Sequence, residues 1–196
     1  MTARAKQREE TRDRIVEAAA DCFSGLGFRG ASTREIARRA GTNQGLITYH
    51  FKSKDELWRA AADRIFTQLR TRLTTRAAAV SSEEPREQTR ERIREYVRFV
   101  AAHPELFRLM VEEGKSDDPR MQWLVDTHLK RLYEDIPEFA AGAERALAPH
   151  LYYMLAGAAS LMFAVAPECR RLTGLDPSSK DAVETHANLV ARLMVP

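Results

Sequence analysis

Between Ser32 and Lys54 the chain reads Ser-Thr-Arg-Glu-Ile-Ala-Arg-Arg-Ala-Gly-Thr-Asn-Gln-Gly-Leu-Ile-Thr-Tyr-His-Phe-Lys-Ser-Lys. Ser32 and Glu35 have the spacing of a capping box, in which a hydroxyl and a carboxylate satisfy the free amides of a helix start. A helix is therefore expected from Thr33. Ile36, Ala37 and Ala40 give it one apolar face, with Arg34, Arg38 and Arg39 pointing elsewhere. Gly41 ends it, because glycine takes a left-handed conformation most readily. Asn43 then caps a second, short helix whose Leu46 and Ile47 dock inward, leaving Gln44, Gly45, Thr48 and Tyr49 facing out. Two short helices joined by a glycine turn, the second with a polar outer face, form a helix-turn-helix of the kind that enters a DNA groove.

Everything around this stretch reads as helix. Ile15, Ala19, Cys22, Phe23 and Leu26 follow helical spacing from Thr11 until Gly25 and Gly27, while residues 1 to 10 are charged and read as a mobile arm that either lies against phosphates or has no role. Phe28 and Phe51 are expected to close the small core. Ser53 and Glu56 form another capping box, opening a helix in which Leu57, Ala61, Ile65, Leu69 and Leu73 recur every four residues to Arg76. That helix leaves the first domain and enters the second without a flexible linker. A loop over Ala77 to Pro85, including Ser82, precedes a helix with Ile93, Tyr96, Val97 and Val100, which His103-Pro104 interrupts. The next helix, with Leu106, Phe107, Leu109, Met110 and Val111, stops at Gly114. Met121 to Ile136 is again helical, broken by Pro137 and Gly142. From Pro149 to Ala166 the chain is apolar nearly all round, with small residues Ala156 to Ser160 at its centre, so this helix must be buried on several sides, within the monomer or against a partner chain. Pro167, Gly174 and Pro177 read as a loop before a last helix, Lys180 to Met194.

Composition narrows the function classes. The net charge is +3, but residues 1 to 64 carry 13 Lys and Arg against 9 Asp and Glu, whereas the remainder carries 18 against 19. A basic first module on a nearly neutral second one fits a protein whose N-terminal part alone meets a polyanion. No apolar run approaches a membrane span. The N-terminus lacks a secretory leader, so a cytoplasmic location is expected. Cys22 and Cys169 suggest neither a disulfide framework nor a zinc site. An all-helical enzyme using His103, His128 or His150 finds no support in paired carboxylates, a nucleophile motif or a metal-type cluster, so no enzymatic activity, metal or cofactor is expected. A sequence-non-specific architectural DNA binder is disfavoured by the weak net charge.

The blocks Gly-Phe-Arg-Gly-Ala-Ser-Thr-Arg-Glu-Ile-Ala from Gly27, Ala-Gly at 40 and 41, Tyr-His-Phe from Tyr49 and Lys-Ser-Lys-Asp-Glu-Leu from Lys52 resemble the DNA-binding signature of the TetR family of bacterial transcription regulators. The resemblance is strongest over residues 11 to 60 and beyond them extends only to the helical layout. It implies an all-α fold of about nine helices, with an N-terminal three-helix DNA-binding domain over residues 1–54 and an effector-binding and dimerisation domain over 55–196. It also implies a homodimer joined through its last two long helices and a palindromic double-stranded operator, with repression as the default. Thr48 stands where the family commonly carries tyrosine, which leaves that phosphate contact to Thr48 or to Tyr49.

Within that frame each site residue has an expected role. Ser32 with the neighbouring helix-start amides at Thr33, then Tyr49, His50 and Lys54, are expected on phosphates, with Arg34 as a weaker contact. Thr42, Gln44, Gly45 and Thr48 are expected at base edges, and Asn43 sets the helix start beside them. Arg38 and Arg39 read as solvated surface charge. In the second domain Phe99, Phe107, Met110 and Trp123, with His128, Tyr152, Tyr153 and Met154, are expected to supply core and, at two or three positions, the wall of a cavity for a small, largely apolar effector.

Overall fold

The computed structural model describes residues 2–81, 83–134 and 146–195, and every regular element among them is helical. The expected breaks at Pro137 and Gly142, the helix end at Ile136 and the loop residue Ser82 lie outside the described residues. In chain order the helices are α1 (Ala3–Gly30), α2 (Thr33–Arg39), α3 (Gln44–His50), α4 (Lys54–Ala79), α5 (Pro85–Ala102) and α6 (Pro104–Glu113). α7 runs as Pro119–Leu124, a π turn at Val125–Leu129 and a last α turn at Lys130–Glu134; then come α8 (Ala148–Ala164), α9 (Ala166–Thr173) and α10 (Lys180–Met194). The chain divides into two compact units, Met1–Phe66 with Arg108–Ser116, and Thr67–Phe107 with Asp117–Pro196. α4 and α6 each contribute residues to both.

The first unit differs from expectation at its start. Residues 3 to 10 are helix, not a mobile arm: the Thr2 hydroxyl accepts the Ala5 N–H at 3.4 Å, and α1 continues from there. The segment has no glycine or proline and consists almost wholly of strong helix formers, so its charge is no obstacle to helix. α1 kinks at Gly27, whose φ of 68° is left-handed. A β-carbon there would lie 3.1 Å from Glu112 Oε1, so both conformation and space favour glycine. Ile15, Ala19, Cys22 and Phe23 are buried, and so are Ile36, Ile47, Phe51, Leu57 and Trp58. Leu26 is exposed, because it follows the buried Phe23 on the turn that ends at the kink.

In the second unit α10 packs along α5, and α8 packs against both. Val97, Val100, Ala159, Phe163, Ala187, Val190 and Ala191 are buried in this layer. The Arg98 guanidinium of α5 grips the Glu184 carboxylate of α10 through two 2.8 Å hydrogen bonds. Arg76 of α4 pairs with Glu91 of α5, which also accepts from Arg94 at 2.5 Å.

α8 buries Ala156, Ala159, Ser160 and Phe163 within the chain and leaves Tyr153, Met154 and Leu161 74%, 60% and 55% exposed, so cover on that face would have to come from a partner chain. One expectation for the later helices is corrected. Residues 166–173, expected to begin a loop, form α9, since proline is compatible with a first helical turn and Pro167 occupies one. The loop begins only at Gly174, which closes α9 with a φ of 74°. Among the described residues no single helix is long and apolar enough to cross a membrane.

Candidate nucleic-acid interface

α2 is held at both ends by local hydrogen bonds. The Ser32 hydroxyl accepts the Glu35 N–H at 3.1 Å. Glu35 does not return the capping bond; its carboxylate accepts from Arg38 Nε and Nη2 and from Arg39 Nε, each at 2.8 Å. The expected capping box is thus half made, because two guanidiniums on the next turn outcompete a backbone amide. Those bonds, Arg38 first and Arg39 second, hold the Glu35 carboxyl down at about 2. At the other end Gly41 has a φ of 60°, and the N–H groups of Gly41 and Thr42 reach the carbonyls of Arg38 and Ala37 at 3.2 and 2.9 Å. This paired closure turns the chain sharply into α3.

α3 starts at Asn43, whose Oδ1 accepts the Leu46 N–H at 3.0 Å. A β-carbon at Gly45 would stand 3.2 Å from that same oxygen, so the glycine gives room to the cap. Ile47 is buried, whereas Leu46 is exposed, contrary to expectation; on a seven-residue helix only the narrow face bearing Ile47 can dock. Gln44, Gly45, Thr48 and Tyr49 are exposed together. The Gln44 amide donates to the Thr33 hydroxyl at 3.0 Å, and the Thr48 hydroxyl donates to the Gln44 carbonyl at 3.3 Å. Thr42 is half-buried at the turn, and Arg34 is exposed on α2.

The aromatic end of α3 meets cations from α1. The Arg8 guanidinium lies 5.7 Å from the Tyr49 ring centre and that of Arg12 5.4 Å from the Phe51 ring centre. Tyr49 in turn makes an edge contact with the His50 ring at 5.1 Å. Burial, and then Arg8 and Arg12, lower the His50 pKa, so at neutral pH its imidazole is an uncharged hydrogen-bonding group. Lys54 Nζ sits 4.6 Å over the Phe28 ring, at a helix start where the Ser53 hydroxyl accepts the Glu56 N–H at 3.0 Å. Sequence reasoning placed Arg8 only in an arm open to phosphate contact and missed Arg12; the signal for both was the four-residue spacing of Arg4, Arg8 and Arg12.

In the second unit a groove of about 380 Å³ is lined by Thr67, Gln68, Thr71 and Arg72 of α4 with Phe99 and His103. Of the eight residues expected to serve an effector cavity, Phe99 alone lines it. Its ring lies 4.5 Å from that of His103, whose Nδ1 is 3.0 Å from Glu105 Oε1. Trp123 meets the buried His128 edge-on at 5.3 Å. Tyr152 contacts Tyr133 at 5.5 Å and Tyr153 at 5.3 Å, and burial above all pushes its hydroxyl pKa up. Phe107 and Met110 are half-buried on α6, while Tyr153 and Met154 lie on the surface. Among the described residues no group of three His, Cys, Asp or Glu side chains is placed to hold a metal ion.

Residues 15–61 match the model of the bacterial regulatory proteins of the tetR family, a segment that spans the capped α2–α3 pair, the second half of α1 and the first turns of α4. Over this segment the chain is similar to the TetR family. Among curated relatives, the HTH-type transcriptional repressor Rv3405c of Mycobacterium tuberculosis is 42% identical over 62 residues, 32% of this chain and 33% of its own length. The chain thus matches about a third of the length of such relatives. The fold likeness extends further. A TetR-like transcriptional regulator from Rhodococcus sp. RHA1 superposes with a TM-score of 0.67 at 21% identity, over 94% of this chain and 93% of that one. The transcriptional regulator FadR from Bacillus subtilis, in complex with stearoyl-CoA, does so with a TM-score of 0.64 at 16% identity, over 93% and 96%. The TetR match begins at Ile15 and leaves Arg4, Arg8 and Arg12 outside it.

Proposed function

We propose that the chain is a cytoplasmic DNA-binding transcriptional regulator, a repressor by default, which binds a palindromic operator as a homodimer and is released by a small, largely apolar effector. The observation that carries this reading is the outer face of α3. A helix of seven residues, capped by Asn43 and anchored by Ile47, presents Gln44, Gly45, Thr48 and Tyr49 together on its exposed side. Gln44 suits an adenine edge, Thr48 a thymine methyl, and Gly45 allows close approach. Thr42 lies at the edge of that face, while Ser32, Thr33, Arg34, Tyr49, His50 and Lys54 serve the phosphates that set register.

Dimerisation is supported by the apolar surface on α8 and α10, where Tyr153, Met154 and Leu161 of one helix and Leu189 and Leu193 of the other are exposed. A β-carbon at Gly157, between them on α8, would meet nothing within 4 Å, so a second helix has room to approach. Two-fold symmetry then sets half-sites one helical turn, ~34 Å, apart or a multiple of it. The effector acts by population shift, favouring a conformation whose two recognition helices no longer fit that separation. The groove at Phe99 and the aromatic cluster of Trp123, His128, Tyr133 and Tyr152 support the second unit as its site.

Selection of duplexes from a random-sequence library by the full chain tests the reading. Enrichment of an inverted repeat is expected. Uniform, strongly salt-dependent binding to all duplexes would make the protein an architectural binder instead, and no binding would end the proposal.

A further inference from the structure

We propose that the first turns of α1 form a second DNA-contact surface, in which Arg4 and Arg8 engage the backbone phosphates flanking the base pairs that α3 meets. The inference rests on the reading of α3 as the DNA-reading helix. It starts from spacing: Arg4, Arg8 and Arg12 recur every four residues and therefore form one stripe along a helix that begins at Ala3. Two of the three are fixed in direction by α3. Arg12 lies over Phe51 and Arg8 over Tyr49, so the stripe starts beside the end of α3, passes the exposed tyrosine and continues to Arg4. At 1.5 Å per residue, Arg12 to Arg4 spans about 12 Å, the axial rise of three to four phosphates of one strand.

The charges are available for this. Among the described residues no carboxylate lies within 4.0 Å of the Arg4 or Arg8 guanidinium, while the Lys6–Glu10 pair, at 3.9 Å, is offset by two residues from the stripe. Glu9 is the acidic group that His50 feels on this side, and its effect is smaller than those of Arg8 and Arg12, so the local field is positive. A guanidinium held over an aromatic face keeps the N–H donors at its own edge free for a phosphate's paired oxygens and loses less rotamer freedom on binding. Charge complementarity selects DNA backbone as the occupant, because the stripe continues the exposed face of α3.

The test uses the full chain and, as probe, a fluorescent duplex selected by the wild-type protein from a random library, with Kd measured between 50 and 200 mM KCl. Each phosphate contact adds about 0.9 to the salt slope, so over this fourfold range the wild-type affinity should fall about 3.5-fold more than that of Arg4→Gln or Arg8→Gln. Against the double variant the difference should be about 12-fold, with the selected base preference unchanged. Trimming the flanking base pairs should weaken the wild type and leave the double variant unaffected. Both residues are exposed, and equal thermal melting of all proteins would confirm intact folding. Identical salt slopes, or an altered base preference without a change in slope, would overturn the phosphate role while leaving the α3 reading standing. If the wild type selects no duplex, the α3 reading fails and this proposal falls with it.

Discussion

The side-chain amide of Gln44 donates a 3.0 Å hydrogen bond to the Thr33 hydroxyl, joining the first turn of α3 to the first turn of α2. One amide hydrogen is committed, which leaves the second hydrogen and the carbonyl oxygen, the pair that adenine requires. Gln44→Ala should cost about 1–3 kcal/mol at one base pair of the operator. Thr33→Val keeps the shape and removes the acceptor; it should weaken the same discrimination by about 1 kcal/mol. Competition binding with single-base operator variants measures both, and an equal loss across all variants would remove Gln44 from base reading.

The Glu35 carboxyl, held at about 2 by Arg38 and then Arg39, gives α2 an acid-sensitive element. Its folded value lies below the ordinary 4.5, so the unfolded chain binds the proton more tightly. The stabilisation is present above pH 4.5 and is lost as pH falls toward 2. Acid unfolding followed by circular dichroism should therefore show a shallower decline over that interval for Glu35→Gln than for the wild type. Parallel curves would show that the Arg38 and Arg39 bonds contribute nothing to stability.

Asn43→Ala removes the cap of α3 and should cost about 1 kcal/mol. Gly45→Ala would ordinarily stabilise a helix by roughly 0.5–1 kcal/mol, but here the new methyl would press on Asn43 Oδ1 at 3.2 Å. The gain should be absent in the wild-type background and recovered when Asn43 is already alanine. Denaturant melts of the two single variants and the double variant close this cycle, and additive values would show that the glycine and the cap are independent.

If α8 and α10 meet a second copy of the chain, a charge at the centre of that face should separate the two. Leu161→Glu and Tyr153→Glu are each expected to give monomers in sedimentation velocity with helicity unchanged, since both side chains are already solvent-exposed in one chain. A dimer that survives both changes would place the interface elsewhere.

The two thiols should differ in reactivity. Cys22 is fully buried, and burial above all raises its pKa, whereas Cys169 is partly exposed on α9. One thiol per native chain should react rapidly with a disulfide reagent and the second only on unfolding. Two fast thiols would mean that α1 opens readily around Cys22.

The parts legible in the sequence were those set by neighbours within one or two turns. The caps at Ser32, Asn43 and Ser53 and the left-handed glycine at Gly41 announce themselves because donor, acceptor and turn residue lie within four positions of one another. The start of α1 was hidden because residues 3 to 10 lack apolar periodicity, although their helix propensity is high. Pro167 read as a breaker because its place in a helix depends on which residue comes first, a matter settled by the backbone turn at Val165. Burial proved harder still. Nothing local distinguishes Leu46 from Ile47, or the surface Tyr153 from the buried Phe163; packing between distant helices decides it. The groove at Phe99 went unread because its other walls are threonine, glutamine, arginine and histidine, while apolar periodicity points only to aromatic and aliphatic positions.

Two turns of helix have no stability of their own in water. α3 owes its shape to Asn43 at its start and Ile47 on its inner side, neither of which belongs to its outer face. Gln44 and Thr48 can therefore be exchanged by mutation at little cost to folding. A lineage carrying this scaffold is free to alter what the helix presents while the scaffold itself stays fixed, so new preferences can arise here without passing through an unfolded intermediate sequence.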